Sequence, residues 1–190
     1  MKKAILLMAV LAVMGCTSMV MAQNAGAITS AGSSNNITWG IGLGGAALGN
    51  GFGTAYSAGA GLEGNVGYVI NPNFAVLLAV DSFLFNTTDS NIYSGEVNFM
   101  PSVRLSLDAN GVKPYVIVGA GLNEDIAYFT DYYGDTISVS DTNFVVGGGL
   151  GVAFSVTPKI DIYIQGKYDD VLASGGSFSY FPISAGVQFN

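Results

Sequence analysis

The 190-residue chain carries 6 Lys and Arg against 13 Asp and Glu, is only 10% charged and has a mean hydropathy of +0.47. Soluble domains run at roughly 25% charged, so the balance points to a membrane protein, and its acidity excludes nucleic acid, whose phosphates need clustered Lys and Arg. Histidine is absent and Cys16 is the sole cysteine, which removes Ser–His triads, the commonest transition-metal ligand and any disulfide within the chain.

Residues 1–22 read as a secretory signal: Lys2 and Lys3, an apolar core from Ala4 to Val13, then Val20-Met21-Ala22 as a small-residue cleavage pattern. Two alternatives stand beside it. One is an uncleaved anchor helix over residues 4–22. The other is lipoprotein processing at Cys16, where Val13-Met14-Gly15-Cys16 resembles a lipobox with a poorly fitting Met14. Cleavage after Ala22 removes two lysines and takes the formal net charge from −7 to −9. Residues 23–35, rich in Ala, Gly, Ser and Asn, are expected to be a flexible lead-in.

Past the leader no apolar run reaches the roughly 20 residues a spanning helix needs. A backbone in hydrocarbon must pair all its N–H and C=O groups internally, which leaves a closed barrel. Residues 36–190 divide at turn signals into eight period-two segments, at 36–46, 60–70, 74–85, 93–107, 114–128, 143–156, 160–170 and 179–189. Connections at 71–73, 108–113 and 157–159 are short. Those near 47–59, 86–92, 129–142 and 171–178 are mostly longer and polar. Alternating loop lengths on an even number of strands is the pattern of an outer-membrane barrel.

The faces follow from the pleat. The first segment sets Ile37, Trp39, Ile41 and Leu43 against Thr38, Gly40, Gly42 and Gly44. The fourth sets Val97, Phe99, Val103, Leu105 and Leu107 toward lipid, with Ser94, Glu96, Asn98, Ser102, Arg104 and Ser106 inside. The sixth opposes Phe144, Val146, Leu150, Val152 and Phe154 to Val145, Gly147, Gly149, Gly151, Ala153 and Ser155. The seventh opposes Ile160, Ile162 and Ile164 to Asp161, Tyr163, Gln165 and Lys167. From Phe181 to Phe189 the alternation is strict, with Pro182, Ser184, Gly186 and Gln188 inside. The third and fifth are apolar on both faces, so their register stays open. Inward glycines leave room for long inward side chains in a barrel this narrow. Outward Trp39, Tyr68, Phe74, Phe99, Phe144, Phe154, Phe181 and Phe189 suit interfacial girdles.

Three stretches carry a family resemblance: Pro114-Tyr115-Val116 entering a Gly-rich strand, Thr157-Pro158-Lys159-Ile160-Asp161-Ile162-Tyr163 across a turn, and the aromatic-ended Ser184 to Phe189. They resemble the small outer-membrane β-barrels of Gram-negative bacteria, of the OmpA transmembrane-domain, OmpX and opacity-protein type, across about 36–190. The resemblance implies an all-β, eight-stranded antiparallel up-and-down barrel, monomeric and held in outer-membrane lipid. It also implies assembly by the barrel-assembly machinery, although Asn190 follows the usual aromatic end. Some barrels of this size are lipid A acyltransferases or deacylases that use histidine, which this chain lacks, so no enzyme, cofactor or metal site is expected.

Gly40-Ile41-Gly42-Leu43-Gly44-Gly45 fits the dinucleotide pattern G-x-G-x-x-G, but no helix signal follows to offer its N-terminus to a pyrophosphate. The inward charges Glu63, Asp81, Glu96, Arg104, Asp161, Lys167 and Asp169 are expected to form an ion-pair network filling the lumen, with Arg104 on Asp161 or Glu96. The alternative is the constriction of a narrow, cation-preferring channel. On the long loop, Asp131, Tyr132, Tyr133 and Asp135 form a candidate surface for an extracellular protein, unless the fifth and sixth strands simply continue there as a hairpin. The expected function is a structural or surface-interaction role in the outer membrane. Channel activity and a soluble periplasmic ligand-binding barrel are the alternatives.

Overall fold

The computed structural model describes residues 36–49, 56–87, 92–130 and 136–190. The expected signal peptide, the lead-in and the candidate contact residues Asp131, Tyr132, Tyr133 and Asp135 lie outside the described residues. Eight strands follow in chain order: β1 (Ile37–Leu48), β2 (Tyr56–Asn71), β3 (Phe74–Thr87), β4 (Ile92–Ser106), β5 (Val112–Thr130), β6 (Thr136–Thr157), β7 (Ile160–Leu172) and β8 (Phe178–Phe189). Each pairs antiparallel with the next and β8 closes on β1, through pairs such as Ile41 with Val187. Closure leaves no edge in the hydrocarbon.

The three short turns bond themselves. Asn73 N donates to Asn71 Oδ1 at 2.9 Å and Lys159 N to Thr157 Oγ1 at 3.2 Å. Between β4 and β5, Asn110 and Gly111 both have positive φ, 57° and 86°. Asn-Gly tolerates that conformation, and it gives the hairpin the twist of its strands.

The outside of the barrel is an apolar belt. On β5 it runs through Val112, Val116, Val118 and Leu122, and on β6 through Phe154, Leu150, Val146 and Phe144, all exposed. Val112 to Leu122 matches the 9–11 residues that a tilted spanning strand needs. Above it the outward positions turn polar: Glu124 on β5, and Thr142, Ser140 and Ser138 on β6. A soluble barrel would turn this belt inward, so that alternative is set aside.

The strands exceed expectation at the long-loop end. β5 has 19 residues and β6 has 22, so residues 136–142 extend the β5–β6 hairpin, the continuation that stood beside the loop reading of this stretch. Their Ser, Thr and Asp content reads as loop because above a bilayer both faces of a ribbon meet water. The undecided faces of β3 and β5 are set by their neighbours. Ala75, Leu77, Ala79, Asp81, Phe83 and Phe85 turn inward on β3, and Tyr115, Ile117 and Asn123 on β5. The β4–β5 ladder is interrupted at Met100 and Pro101, and the β7–β8 ladder opposite Phe181 and Pro182, with the register unchanged on either side. Each break falls on a proline, which has no N–H for the ladder.

Two glycines test the inside-out assignment. A Cβ on Gly151 would overlap the Tyr115 ring, whereas Gly166 has open space on the lipid side. Gly151→Val is expected to cost about 1–3 kcal/mol by overpacking, and Gly166→Ala almost nothing. Urea unfolding in micelles measures both, and equal effects would mean the faces are misassigned.

Candidate functional site in the barrel lumen

The interior is built from alternate residues of all eight strands. Nearest the long loops it is apolar. Ala46, Phe83, Phe85, Val145, Val171, Phe178 and Tyr180 form one buried cluster, in which Tyr180 meets Phe83 and Phe85 edge-on with centroids 6.2 and 6.1 Å away. Sequence reasoning missed this layer. Its signal was present in Phe83 and Phe85 two apart on a strand whose other face is also apolar.

Next comes an amide and acid layer. Asn123 Nδ2 donates to Asn98 Oδ1 at 2.8 Å and reaches Glu96 Oε2 at 3.5 Å, while Asn98 Nδ2 donates to the Tyr180 hydroxyl. Ser94 Oγ donates to Asp125 Oδ1 at 3.1 Å. Asp169 is fully buried, and among the described residues neither of its carboxylate oxygens has a hydrogen-bond partner.

The middle layer holds the tightest electrostatics. Lys167 is ion-paired to Asp81 and lies 3.8 Å from Glu63 Oε2. Glu63 accepts from Gln165 Nε2 at 2.5 Å, Tyr163 Oη at 3.2 Å and Ser184 Oγ at 2.8 Å. The bonds satisfy a carboxylate that desolvation would otherwise make costly. Below it Arg104 Nη1 donates to Gln188 Oε1 at 3.3 Å, with its guanidinium 5.6 Å from the Tyr115 ring centroid. Gln188 Nε2 donates to Thr38 Oγ1 at 2.5 Å. A cavity of about 20 Å³ opens here among Glu63, Asn65, Arg104, Tyr115, Lys167 and Gln188. That is room for about one water.

At the short-turn end Asp161 takes Lys113 Nζ at 2.9 Å, Ser155 Oγ at 2.8 Å and Asn190 Nδ2 at 2.9 Å. This corrects the expected pairing of Arg104 with Asp161 or Glu96. Arg104 lies beside Ala75 on β3, whose small side chain lets it cross the lumen toward β8. Lys113 already holds the acid, and sequence reasoning passed it over by starting the fifth strand two residues late, with Lys113 left in the turn. The seven expected lumen charges all face inward but form separate groups: Glu63, Asp81 and Lys167 together, Glu96 beside Asn123, Arg104 on an amide, Asp161 on a lysine outside the expected set, and Asp169 without a hydrogen bond among the described residues.

Gly40, Gly42 and Gly44 lie mid-strand in β1, which runs on to Leu48, so the dinucleotide pattern is a strand pattern. A Cβ on Gly42 would come within 2.5 Å of the Tyr163 hydroxyl, so the glycine makes room for the tyrosine. Among the described residues no group of three or more acidic or thiol side chains could hold a metal.

Residues 8–189 match the outer membrane protein beta-barrel domain family. The chain belongs to that family. Solved structures share the fold. Neisserial surface protein A is 24% identical, with a TM-score of 0.61, covering 81% of this chain and 96% of that one. The attachment invasion locus protein Ail of Yersinia pestis is 18% identical, with a TM-score of 0.53, covering 80% and 97%. A major outer membrane protein of Thermus thermophilus is 13% identical, with a TM-score of 0.56, covering 80% and 98%. No curated protein matches the chain. In this family of outer-membrane barrels, the eight-stranded closed meander is the fold read from the sequence.

Proposed function

We propose that this barrel serves the outer membrane as a structural and surface-presenting protein with a lumen too filled to conduct. The observation that carries the reading is the side-chain stack. An apolar layer of Phe83, Phe85, Val145, Val171 and Tyr180 lies over hydrogen-bonded layers down to Thr38 and Gln188. The cavity among Glu63, Arg104 and Lys167 has about 20 Å³, too little for a hydrated ion. In this reading the leader exports the chain, the barrel-assembly machinery inserts it as a monomer, and lipid covers the belt. No inward group among the described residues faces a cleft that would admit a substrate, so no catalysis is assigned.

A narrow cation-preferring channel is the second reading. It is favoured by the inward acids Glu63, Asp81, Glu96, Asp161 and Asp169, which outnumber Arg104, Lys113 and Lys167. Planar bilayers separate the two. The purified barrel is expected to pass no steady current, and reproducible single-channel steps would establish the channel instead. Ail has been solved with the heparin analogue sucrose octasulfate. In this chain the connections 49–55, 88–91, 131–135 and 173–177 contain no Lys or Arg, so a polyanion is a poor partner and a cationic one is favoured.

A further inference from the structure

One strand pair of the barrel differs from the rest. Among the described residues, every other pair joins strands consecutive in the chain, whereas β1 meets β8 from Trp39 opposite Phe189 to Leu48 opposite Tyr180. Thr38 and Gln188, which bond across this seam, lie 150 residues apart in the chain. Closing the ring therefore carries the largest loop-closure cost of any pairing and follows the hairpins. With the seam open, β1 and β8 each present a row of unpaired N–H and C=O groups, which hydrocarbon does not tolerate. What holds the seam sets how long the closed barrel lasts.

Asn190 sits on this seam at the short-turn end. It follows β8 and bonds to elements on both sides of that strand. Its Nδ2 donates to Asp161 Oδ2 on β7 at 2.9 Å, and its backbone N donates to Lys159 O in the turn before β7 at 3.0 Å. On the other side its Oδ1 accepts from Thr38 Oγ1 on β1 at 3.1 Å, a proton that Thr38 shares with Phe189 O at 3.0 Å. Thr38 is fully buried and also accepts from Gln188 Nε2. One side chain thus spans β7 and β1 across the end of β8. On the lipid side of the same place, the Trp39 and Phe189 rings stack with centroids 4.0 Å apart and planes 11° from parallel.

Asp161 does not depend on this contact for its charge, because Lys113 on β5 and Ser155 on β6 hold the same carboxylate. What Asn190 adds is a link. Through it the polar group of β5, β6 and β7 reaches Thr38 on β1, across the seam.

We propose that Asn190 is a clasp on the β1–β8 seam, completed only when the ring closes, that slows reopening of the barrel. Its bond to Thr38 exists only with β1 and β8 paired, so it opposes opening and contributes little to the steps before closure. Its removal therefore acts on the unfolding rate and leaves the folding rate alone. Whether the lumen conducts does not enter: a current in bilayers would leave the clasp standing, and failure of the clasp would leave the filled lumen standing.

The test uses the barrel refolded in micelles, in a Cys16→Ser background, with fluorescence in urea as the readout. Trp39 is the only tryptophan of the chain and lies on the seam, so its signal reports seam opening. Asn190→Ala should speed the loss of that signal roughly three- to tenfold, the worth of one hydrogen bond, with the refolding rate unchanged. Thr38→Val cuts the same contact from the β1 side and should speed it at least as much. Ser155→Ala removes a bond to Asp161 away from the seam and should change the rate little. Leu43→Cys with Ala185→Cys, facing partners on the lipid side, allows a disulfide that staples the two strands, and in the stapled barrel Asn190→Ala should have no effect. The proposal is overturned if the effect of Asn190→Ala survives the staple, which would make the bond a local one. It is also overturned if refolding slows instead, if Ser155→Ala matches Asn190→Ala, or if the unfolding rate stays at the parent value. Should Asn190→Ala fail to fold, Thr38→Val with and without the staple decides by the same outcomes.

Discussion

Lys167→Met is expected to cost the barrel about 3–5 kcal/mol, the range for breaking a buried ion pair from one side. Lys167 lies between two buried carboxylates, ion-paired to Asp81 and 3.8 Å from Glu63. Removing it leaves both acids in a space with too little water to solvate them. The urea midpoint in micelles should fall with the slope unchanged, since the slope follows exposed surface rather than the pair. Adding Asp81→Asn should recover part of the loss, because one of the two orphaned charges goes with it. Arg104→Ala should cost less: Arg104 meets the neutral Gln188, so no acid is stranded. If Lys167→Met unfolds at the parent midpoint, Lys167 does not compensate these carboxylates and the layer has another source of balance.

Leu150→Lys is expected to cost about 2–4 kcal/mol or to block assembly, as a lysine near the bilayer midplane does. Leu150 is 67% exposed in the middle of the apolar belt of β6, so the substitution disturbs no core contact and acts through lipid alone. Phe99→Lys on β4 should behave alike, being 45% exposed on the same belt. Ser140→Lys, on the same strand as Leu150 but above the belt, should fold normally, since its side chain already meets water. Folding yield in lipid vesicles, read from the shift of the unheated band on a gel, compares the three. Should Leu150→Lys assemble and Ser140→Lys fail, the belt has been set at the wrong height on β6.

How far the sequence reached can be told strand by strand. Where a strand has one oily face and one polar face, as in β4 and β7, alternation alone separated lipid from lumen, because a period-two backbone can offer only two faces and lipid excludes the polar one. That contrast, repeated along the chain with short and long connections in turn, determined the barrel and placed Glu63, Glu96, Arg104, Asp161, Lys167 and Asp169 inside, with Asp81 assigned there by its charge alone. The same composition removed histidine and thiol chemistry. On β3 and β5 both faces are apolar and the contrast vanishes, so the inward Phe83 and Phe85, and with them the apolar layer around Tyr180, depended on the register to β4. Polar residues 136–142 lost their strand signal because water bathes both faces of the hairpin above the belt. The partners inside the lumen were out of reach for a different reason. Gln188 for Arg104 and Lys113 for Asp161 lie 84 and 48 residues away, and which side chains meet across the barrel is set by its stagger and by the room that Ala75 and the inward glycines leave. Faces are a local property of the chain, whereas partners across a closed sheet exist only once the sheet has closed.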